Sequence, residues 1–148
     1  MRVIDSFRGD NLFLSNFYPT RVEFRGTMFP SAEHAFMSAK TNDEQSIEQI
    51  RTAATPADAK RIGRSVTLVA DWDRIRFDVM ADVLAAKFDD PELAQRLVAT
   101  GGAVLIEGNT WHDQTWGSCT CDRHRRIDGD NALGVLLMNE RLQQKFVV

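Results

Sequence analysis

The chain has 148 residues, 43% of them hydrophobic and 26% charged, which is an ordinary composition for one globular domain with a buried core. Its net charge of −3 and pI near 5.6 give no bulk electrostatic attraction to nucleic acid or to an anionic membrane. No apolar run approaches the ~20 residues that a membrane span needs, and the N-terminus lacks a signal-peptide core. Cys119 and Cys121 lie too close together for the disulfide framework of a secreted protein. These features predict a cytoplasmic protein with a single domain over residues 1–148.

The first part of the chain predicts short strands and an aromatic loop. Residues 3–7 favour a strand before the turn R-G-D-N, and R-V-E-F-R-G-T-M-F alternates around Arg25-Gly26 as a small β-hairpin does. Between them, L-F-L-S-N-F-Y-P surrounds a polar pair with aromatic residues. Asn16 could offer a donor and an acceptor to a pocket, or it could cap a turn in a loop packed on the core. Both interpretations stay open.

Residues 31–40 predict a helix with an unusual inner face. Ser31 is a good N-cap, and Glu33 falls in the first turn. Helical spacing puts Glu33, Phe36, Met37 and Lys40 on one face. Charges beside large apolar groups indicate an inward face, where ionisable groups need partners and their pKa values move. The alternative is a structural helix whose acid suits the dipole and whose lysine extends to solvent.

Further helices follow. Residues 43–54 have helical spacing, and Thr55-Pro56 begins a second helix that Gly63 would end as a left-handed cap. Cations at its end suit either the helix dipole or a phosphate, namely Lys60, Arg61 and Arg64. The longest helix covers residues 71–88, and Lys87 falls on its apolar stripe, which predicts a buried partner or an amine that reaches solvent. Residues 90–99 predict another helix, residues 103–107 a brief strand, and Asp130 or Asn131 caps the last helix.

The loop E-G-N-T-W-H-D-Q-T-W-G-S-C holds two of the three tryptophans. Their rings either stack on a planar base or sugar, or they fasten the loop to the core. Metal ligands also occur in this region, at His112, Cys119, Cys121 and His124. However, Cys-x-Cys is shorter than the usual spacer and nothing completes a familiar zinc pattern, so the sequence predicts no metal site.

Two chemistries remain open from the residue pattern. No Walker A motif, dinucleotide fingerprint or G-x-S-x-G motif is present. Paired carboxylates hydrolyse glycosidic bonds, and four acids lie near tryptophans, asparagines or the helix lysine, namely Glu33, Asp73, Glu107 and Asp113. A desolvated lysine can instead attack an electrophilic carbon and form an imine. The pattern does not choose between the two.

An ordered series of motifs resembles the NADAR family, also called YbiA-like (NAD- and ADP-ribose-associated domains). The series begins with S-N-F-Y-P, P-S-A-E-H-A-F-x-x-A-K-T, A-K-R-I-G-R and D-W-D. It continues with V-M-x-x-x-L-x-x-K-F, A-T-G, E-G-N-T-W-x-D-x-x-W-G and N-x-L-G-x-L-L-M-x-x-R. Each motif is weak, but the ordered combination is specific and covers about residues 7–141.

The resemblance implies a fold class and an activity. The fold would be α+β, mostly α, a compact multihelical YbiA-like single domain with a few short β-strands. The activity would be that of a hydrolase, an N-glycosidase that cuts the ribosyl C1–N bond of a small ribosylated, phosphorylated substrate such as the phosphoribosylamino-pyrimidine intermediates of riboflavin synthesis. One alternative is removal of ADP-ribose from guanine in DNA, and another is a non-catalytic module that binds ADP-ribose or a nucleotide. No metal, organic cofactor or membrane is implied.

The resemblance also assigns residues. Lys40, Glu33 and Asp113 would be catalytic: Lys40 would attack the anomeric carbon or its ring-opened form, Glu33 would move protons and steady positive charge, and Asp113 is a second acid/base candidate. Trp72 and Trp116 would stack on a ring, Asn16 and Asn131 would hold ribose hydroxyls, and Arg8 and Arg64 would meet phosphate. The predicted substrate-binding set is Arg8, Asn16, Phe17, Arg64, Trp72, Trp116, Gly117 and Asn131.

Three departures from the family pattern bear on substrate choice. Met37 stands where glutamine is common, so one polar contact is missing. His112 replaces a frequent glycine and adds a titrating group. The segment C-T-C-D-R-H-R-R, residues 119–126, is unusually basic. Its arginines either form a solvated loop or contact a nucleic-acid backbone.

Overall fold

The computed structural model describes residues 1–146, in which helices outweigh strands. The helices are α1 (Ala32–Ser38), α2 (Glu44–Arg51), α3 (Pro56–Gly63), α4 (Trp72–Lys87), α5 (Pro91–Ala99) and α6 (Ala132–Gln144), with a 3₁₀-helix at Gly9–Leu14. The strands are β1 (Val3–Ile4), β2 (Pro19–Phe24), β3 (Thr27–Ser31), β4 (Val104–Leu105), β5 (Gly108–Asn109) and β6 (Ser118–Cys119). The predicted class, α+β and mostly α, is confirmed.

The chain forms two compact units. One contains residues 1–15 together with the described residues from 90 onward, and the other is Asn16–Asp89. The prediction of a single domain over residues 1–148 stays a prediction, and its last two residues lie outside the described part. No helix among residues 1–146 combines the length and the apolar character that a membrane crossing requires.

In the second unit, a hairpin and four helices surround a common core. Strands β2 and β3 pair antiparallel, with Phe24 opposite Thr27. The turn between them has positive φ at both Arg25 (52°) and Gly26 (77°), as a two-residue hairpin turn of right-handed twist requires. The predicted hairpin is therefore confirmed. Every residue of α1 is buried, so α1 is the central helix of this unit.

Several predicted boundaries in this unit need correction. Helix α1 ends at Ser38, before Lys40, and the Lys40 carbonyl accepts a hydrogen bond from the Val69 amide at 2.8 Å. Helix α2 is shorter than residues 43–54, although Asp43 caps it. Gly63 is not a left-handed cap: it lies inside α3, and a Cβ added there would collide with the Met37 side chain of α1. Gly63 is a glycine because two helices approach closely.

The first unit is built from two parallel strand pairs and two helices. Val3 and Ile4 pair with Val104 and Leu105, so the predicted strand over residues 3–7 is only two residues long. Gly108 and Asn109 pair with Ser118 and Cys119. Helix α6 packs on α5 and β4. Asn131 occupies the N-cap position of α6 in a left-handed conformation (φ 53°), but its side chain makes no cap bond to the helix.

Candidate active site

The start of α1 is fixed by a buried histidine that the motif analysis did not single out. The Ser31 hydroxyl accepts from the His34 amide at 3.1 Å and lies 2.6 Å from His34 Nδ1. His34 Nε2 lies 3.0 Å from the Ala53 carbonyl. Because a carbonyl only accepts, Nε2 carries the proton and Ser31 donates to Nδ1. The predicted Ser31 cap is confirmed. His34, the residue after Glu33, links α1 to the chain that follows α2.

Asn16 lies directly against this helix start. Its backbone carbonyl accepts from the Glu33 amide at 3.0 Å, and both side chains are buried, with 8% of Asn16 and 7% of Glu33 exposed. Asn16 Nδ2 donates to the Met80 sulfur at 3.4 Å. Its Oδ1 atom is buried and has no hydrogen-bond partner among the described residues. Within residues 1–146, Asn16 Oδ1 therefore lacks the hydrogen bond that buried carbonyl oxygens normally have.

Lys40 follows α1 and is electrostatically coupled to two other predicted site residues. Its side chain is half-buried, and this loss of solvent is the main reason that its pKa is lowered from the ordinary value of 10.5. The Glu33 carboxylate acts in the opposite direction and raises the Lys40 pKa, whereas the Arg64 guanidinium lowers it. The second unit thus brings Glu33, Lys40 and Arg64 into one charged cluster, with Asn16 beside Glu33.

The remaining predicted residues of this unit differ in exposure. Phe17 is 39% exposed, so its ring can receive a ligand. Trp72 is only 7% exposed and packs on Phe36 with ring centroids 5.2 Å apart. Met37, in the place of a polar residue expected from the family pattern, fills the space over Gly63. Trp72 and Met37 therefore help to hold α1 in position.

The other predicted site residues belong to the first unit. Asp113 Oδ1 accepts from the amides of Thr115 and Trp116 at 3.0 and 2.8 Å. The Asn109 side chain holds the Asp113 backbone through two bonds, donating to its carbonyl at 2.8 Å and accepting from its amide at 3.1 Å. Asp113 is half-buried and organises the turn that carries Trp116. Asn109, which the sequence reasoning missed, was visible only as part of the E-G-N motif.

Asn131 and Gly117 have structural contacts in the same unit. Asn131 Oδ1 accepts from the Glu107 amide at 2.9 Å, and its Nδ2 donates to the Leu105 carbonyl at 2.9 Å. A Cβ on Gly117 would come within 2.9 Å of Asn109 Nδ2, so a larger residue does not fit. Arg8 is exposed, as are Arg123, Arg125 and Arg126 of the basic segment. The proposed ligand contacts of Asn131, Gly117 and Arg8 stay predictions.

The segments that follow β5 and β6 bring together the four possible metal ligands whose spacing in the sequence matched no familiar zinc pattern. Ligand atoms of His112, Cys119, Cys121 and His124 all lie within 4.8 Å of one another. Spacing along the chain did not reveal this because the pairing of β5 with β6, followed by a turn at residues 121–125, brings the side chains together.

Comparison with known proteins gives this site its context. The NADAR domain family model matches residues 6–144. N-glycosidase YbiA of Escherichia coli is 38% identical over 132 residues, covering 87% of this chain and 79% of that protein. A riboflavin biosynthesis protein of Vibrio vulnificus is 36% identical over 137 residues, covering 89% of this chain but only 36% of its own length.

A solved structure agrees with these relatives. The NMR structure of Escherichia coli YbiA has a TM-score of 0.82 and 34% identity, covering 98% of this chain and 87% of that one. The fold and the relatives define the class: the chain is an enzyme of the N-glycosidase type. It belongs to the NADAR family.

Proposed function

We propose that the chain hydrolyses the ribosyl C1–N bond of a small phosphorylated ribosylamino-pyrimidine. The observation that carries the proposal is the cluster of Glu33, Lys40 and Arg64, in which burial lowers the pKa of a lysine beside a carboxylate. Two relatives named for riboflavin biosynthesis, from Vibrio vulnificus and Zea mays, favour a pyrimidine of that pathway as the substrate.

In the proposed mechanism, Lys40 is the nucleophile. The Lys40 ammonium first gives a proton to the Glu33 carboxylate. The resulting neutral amine attacks C1 of the ribose as the C1–N bond to the base breaks, and the Glu33 carboxyl passes that proton to the base. The lysine–C1 adduct opens at the ring oxygen, which takes up a proton, and becomes an imine. Water then adds to C1 and the lysine amine leaves, which releases ribose phosphate. Lowering the pKa of Lys40 raises the fraction of neutral amine near neutral pH, as this first step requires.

The residues around the cluster have matching roles in the proposal. Asn16 Oδ1, which is buried and has no hydrogen-bond partner among the described residues, would accept a hydrogen bond from a ribose hydroxyl. Arg64 would bind the phosphate through paired donors, and the exposed ring of Phe17 would lie against the base.

A mechanism without a covalent intermediate is the alternative chemistry. There Glu33 activates water directly, and charged Lys40 stabilises the leaving group or the phosphate.

Borohydride reduction in the presence of substrate distinguishes the lysine mechanism from the mechanism without a covalent intermediate. We expect a reduced ribose-phosphate adduct on the Lys40 peptide and loss of turnover in Lys40→Ala. Lys60→Ala, on α3, is the matched control and should behave as the wild type. No adduct together with full activity of Lys40→Ala would exclude the lysine mechanism, and an adduct on Lys87 would assign the nucleophile elsewhere.

The second candidate substrate is ADP-ribosylated guanine in DNA, favoured by the exposed arginines of residues 119–126. Parallel incubation with a phosphoribosylamino-pyrimidine and with an ADP-ribosylated oligonucleotide distinguishes the two. Mass spectrometry should detect free pyrimidine and ribose phosphate from the first substrate. Release of ADP-ribose from the second alone would overturn the pyrimidine assignment while leaving the N-glycosidase class intact.

A further inference from the structure

We propose that His112, Cys119, Cys121 and His124 form a structural zinc site in the first unit. This inference is independent of the proposed substrate and uses none of the proposed catalytic residues. We call these four residues the His₂Cys₂ cluster. The structure brings one nitrogen or sulfur atom from each residue within 4.8 Å of the others.

The fold explains how a poorly spaced sequence makes this cluster. Strands β5 and β6 run parallel with Asn109 opposite Cys119, so the residues that follow both strands emerge at the same end. His112 follows β5 by three residues, and Cys119 and Cys121 lie at and just after the end of β6. A tight turn then returns the chain, since the amides of His124 and Arg125 donate to the Cys121 carbonyl at 3.0 and 2.8 Å. This turn places His124 against Cys121.

Four of the six distances between the ligand atoms agree with tetrahedral coordination. Zinc bonds of about 2.3 Å to sulfur and about 2.0–2.1 Å to nitrogen, at tetrahedral angles, put two nitrogens about 3.3 Å apart and a nitrogen about 3.6 Å from a sulfur. The two Nδ1 atoms of His112 and His124 are 3.4 Å apart. The Cys121 sulfur lies 3.4 and 3.2 Å from those nitrogens, and the Cys119 sulfur lies 3.9 Å from His112 Nδ1. All four values are within a few tenths of an ångström of the ideal edges.

Hydrogen bonding alone does not explain why these four side chains converge. Thiols are weak donors, and a neutral imidazole has only one N–H, so four such groups facing one point leave lone pairs directed at each other. A cation at that point would be coordinated by one lone pair from each of the four groups. His112 also adopts φ 71°, a left-handed conformation that is unfavourable for a residue with a side chain. Coordination would offset that cost, since His112 Nδ1 lies 3.9 and 3.4 Å from the Cys119 and Cys121 sulfurs.

The donor set selects the metal and its role. Two thiolates and two imidazoles suit zinc, whereas magnesium and calcium require oxygen ligands. Four protein ligands leave no open position for water, so the ion is structural and not catalytic. Two thiolates balance its charge. The site would fasten the loop bearing Asp113 to the basic segment, adding to the bonds from the Thr120 amide and hydroxyl to the Asn109 carbonyl at 2.7 and 3.2 Å.

Metal content is the first test. The untagged full chain, purified in reducing buffer without chelator, should contain one zinc per molecule by mass spectrometric elemental analysis. Cys121→Ser and His124→Asn should lose most of that zinc. The matched control is Arg123→Ala, which lies between the ligands but offers no ligand atom, and it should keep the full content. Equal zinc in all four proteins, or none in the wild type after zinc is supplied, would overturn the site.

A second test needs no variant and therefore does not depend on whether the variants fold. Co²⁺ added to the metal-free wild type should give the intense visible bands of a tetrahedral ion and the near-ultraviolet absorption of thiolate-to-cobalt charge transfer. Zinc should displace both signals. A weak octahedral spectrum without charge transfer would contradict the site, as would a Cys119–Cys121 disulfide in the intact mass of the freshly purified reduced protein.

Discussion

Lys40 and Lys87 both lose solvent on folding, but their environments give the two amines different roles. Lys40 is half-buried beside a carboxylate and a guanidinium, where its protonation can respond to a ligand. Lys87 has no exposed surface, and its amine lies 5.8 and 5.2 Å from the ring centroids of Tyr18 and Phe88. The apolar stripe of α4 identified Lys87 as unusual, but the structure rules out an amine that reaches solvent.

Removing Glu33 and removing Arg64 should shift the Lys40 pKa in opposite directions. Because Glu33 raises the Lys40 pKa and Arg64 lowers it, Glu33→Gln should lower that pKa further and Arg64→Ala should return it toward 10.5. The measurement is competitive amine labelling as a function of pH, with peptide mapping. Lys60 in the same digest serves as the internal reference. A shift of Lys40 in the same direction in both variants would contradict the proposed cluster.

Lys87 makes stability depend on pH. Burial lowers its pKa from 10.5 to about 7. Below pH 7 the amine is charged in both folded and unfolded states, and the folded state bears the whole cost of burial. Between that pH and about 10 the unfolded chain binds more protons, so stability rises with pH by up to about 1.4 kcal/mol per unit.

The variant Lys87→Met removes this titration while keeping an apolar side chain of similar length. At pH 6 we expect it to be more stable than the wild type by on the order of several kcal/mol, with the difference disappearing toward pH 10. Urea unfolding across that range measures the effect. Lys60→Met should keep the wild-type pH profile, and a Lys87→Met profile that runs parallel to the wild type would refute the assignment.

At the scale of elements, α1 depends on its neighbours for its position. The helix has only seven residues, too few for independent stability, and all of them are buried. Its start is held by Asn16 and by the His34 contact to Ala53, and its last turn packs on α3 where Gly63 meets Met37. The charged groups proposed for catalysis lie at the two ends of this helix, so its packing sets their separation.

The Gly63–Met37 contact can be tested with a double-mutant cycle. Gly63 is the last residue of α3, and Gly→Ala within a helix normally stabilises by up to about 1 kcal/mol. Here the new Cβ would collide with the Met37 sulfur and lie 3.1 and 3.2 Å from Met37 Cγ and Cβ, so moving the sulfur alone is insufficient relief. We expect Gly63→Ala to destabilise by roughly 1–3 kcal/mol. In a Met37→Ala background the same substitution should be neutral or stabilising, as measured by urea unfolding. Additive effects would disprove the contact.

At the scale of the whole molecule, charge is unevenly distributed. The net charge is −3, yet Arg123, Arg125 and Arg126 are all exposed within four residues. Long-range attraction to a polyanion is therefore weak, and only local contacts with phosphate remain. This balance favours a small substrate with one phosphate over a DNA duplex.

Salt dependence measures that preference. For a small phosphorylated substrate we expect kcat/KM to fall only slightly between low and physiological salt. Recognition of a DNA backbone would instead give a slope of about −0.9 in log K against log salt for each phosphate contacted. Replacing the three arginines by alanine should leave turnover of the small substrate unchanged. A steep slope that these replacements abolish would support the DNA substrate.

Local sequence signals predicted much of this fold. Capping residues at Ser31 and Thr55, and the turn at Arg25-Gly26, marked element boundaries because each satisfies or shapes the neighbouring backbone. The acid and base flanking α1 were also visible from helical spacing. The effect of Arg64 on the Lys40 pKa was not visible in the sequence, because the distance between residues of two helices depends on packing.

By itself, the sequence determined the helix-rich class and the family, because local propensities and ordered motifs are properties of neighbouring residues. It also supplied the residues that we propose for catalysis. Only the tertiary structure decided the rest. It buried the Lys87 amine and left Asn16 Oδ1 without a hydrogen-bond partner among the described residues. It also paired the Asn131 amide with the Leu105 carbonyl of β4 and brought His112 close to Cys119, Cys121 and His124. Each of these depends on distances between residues far apart in the chain, and those distances are set by core packing and strand pairing.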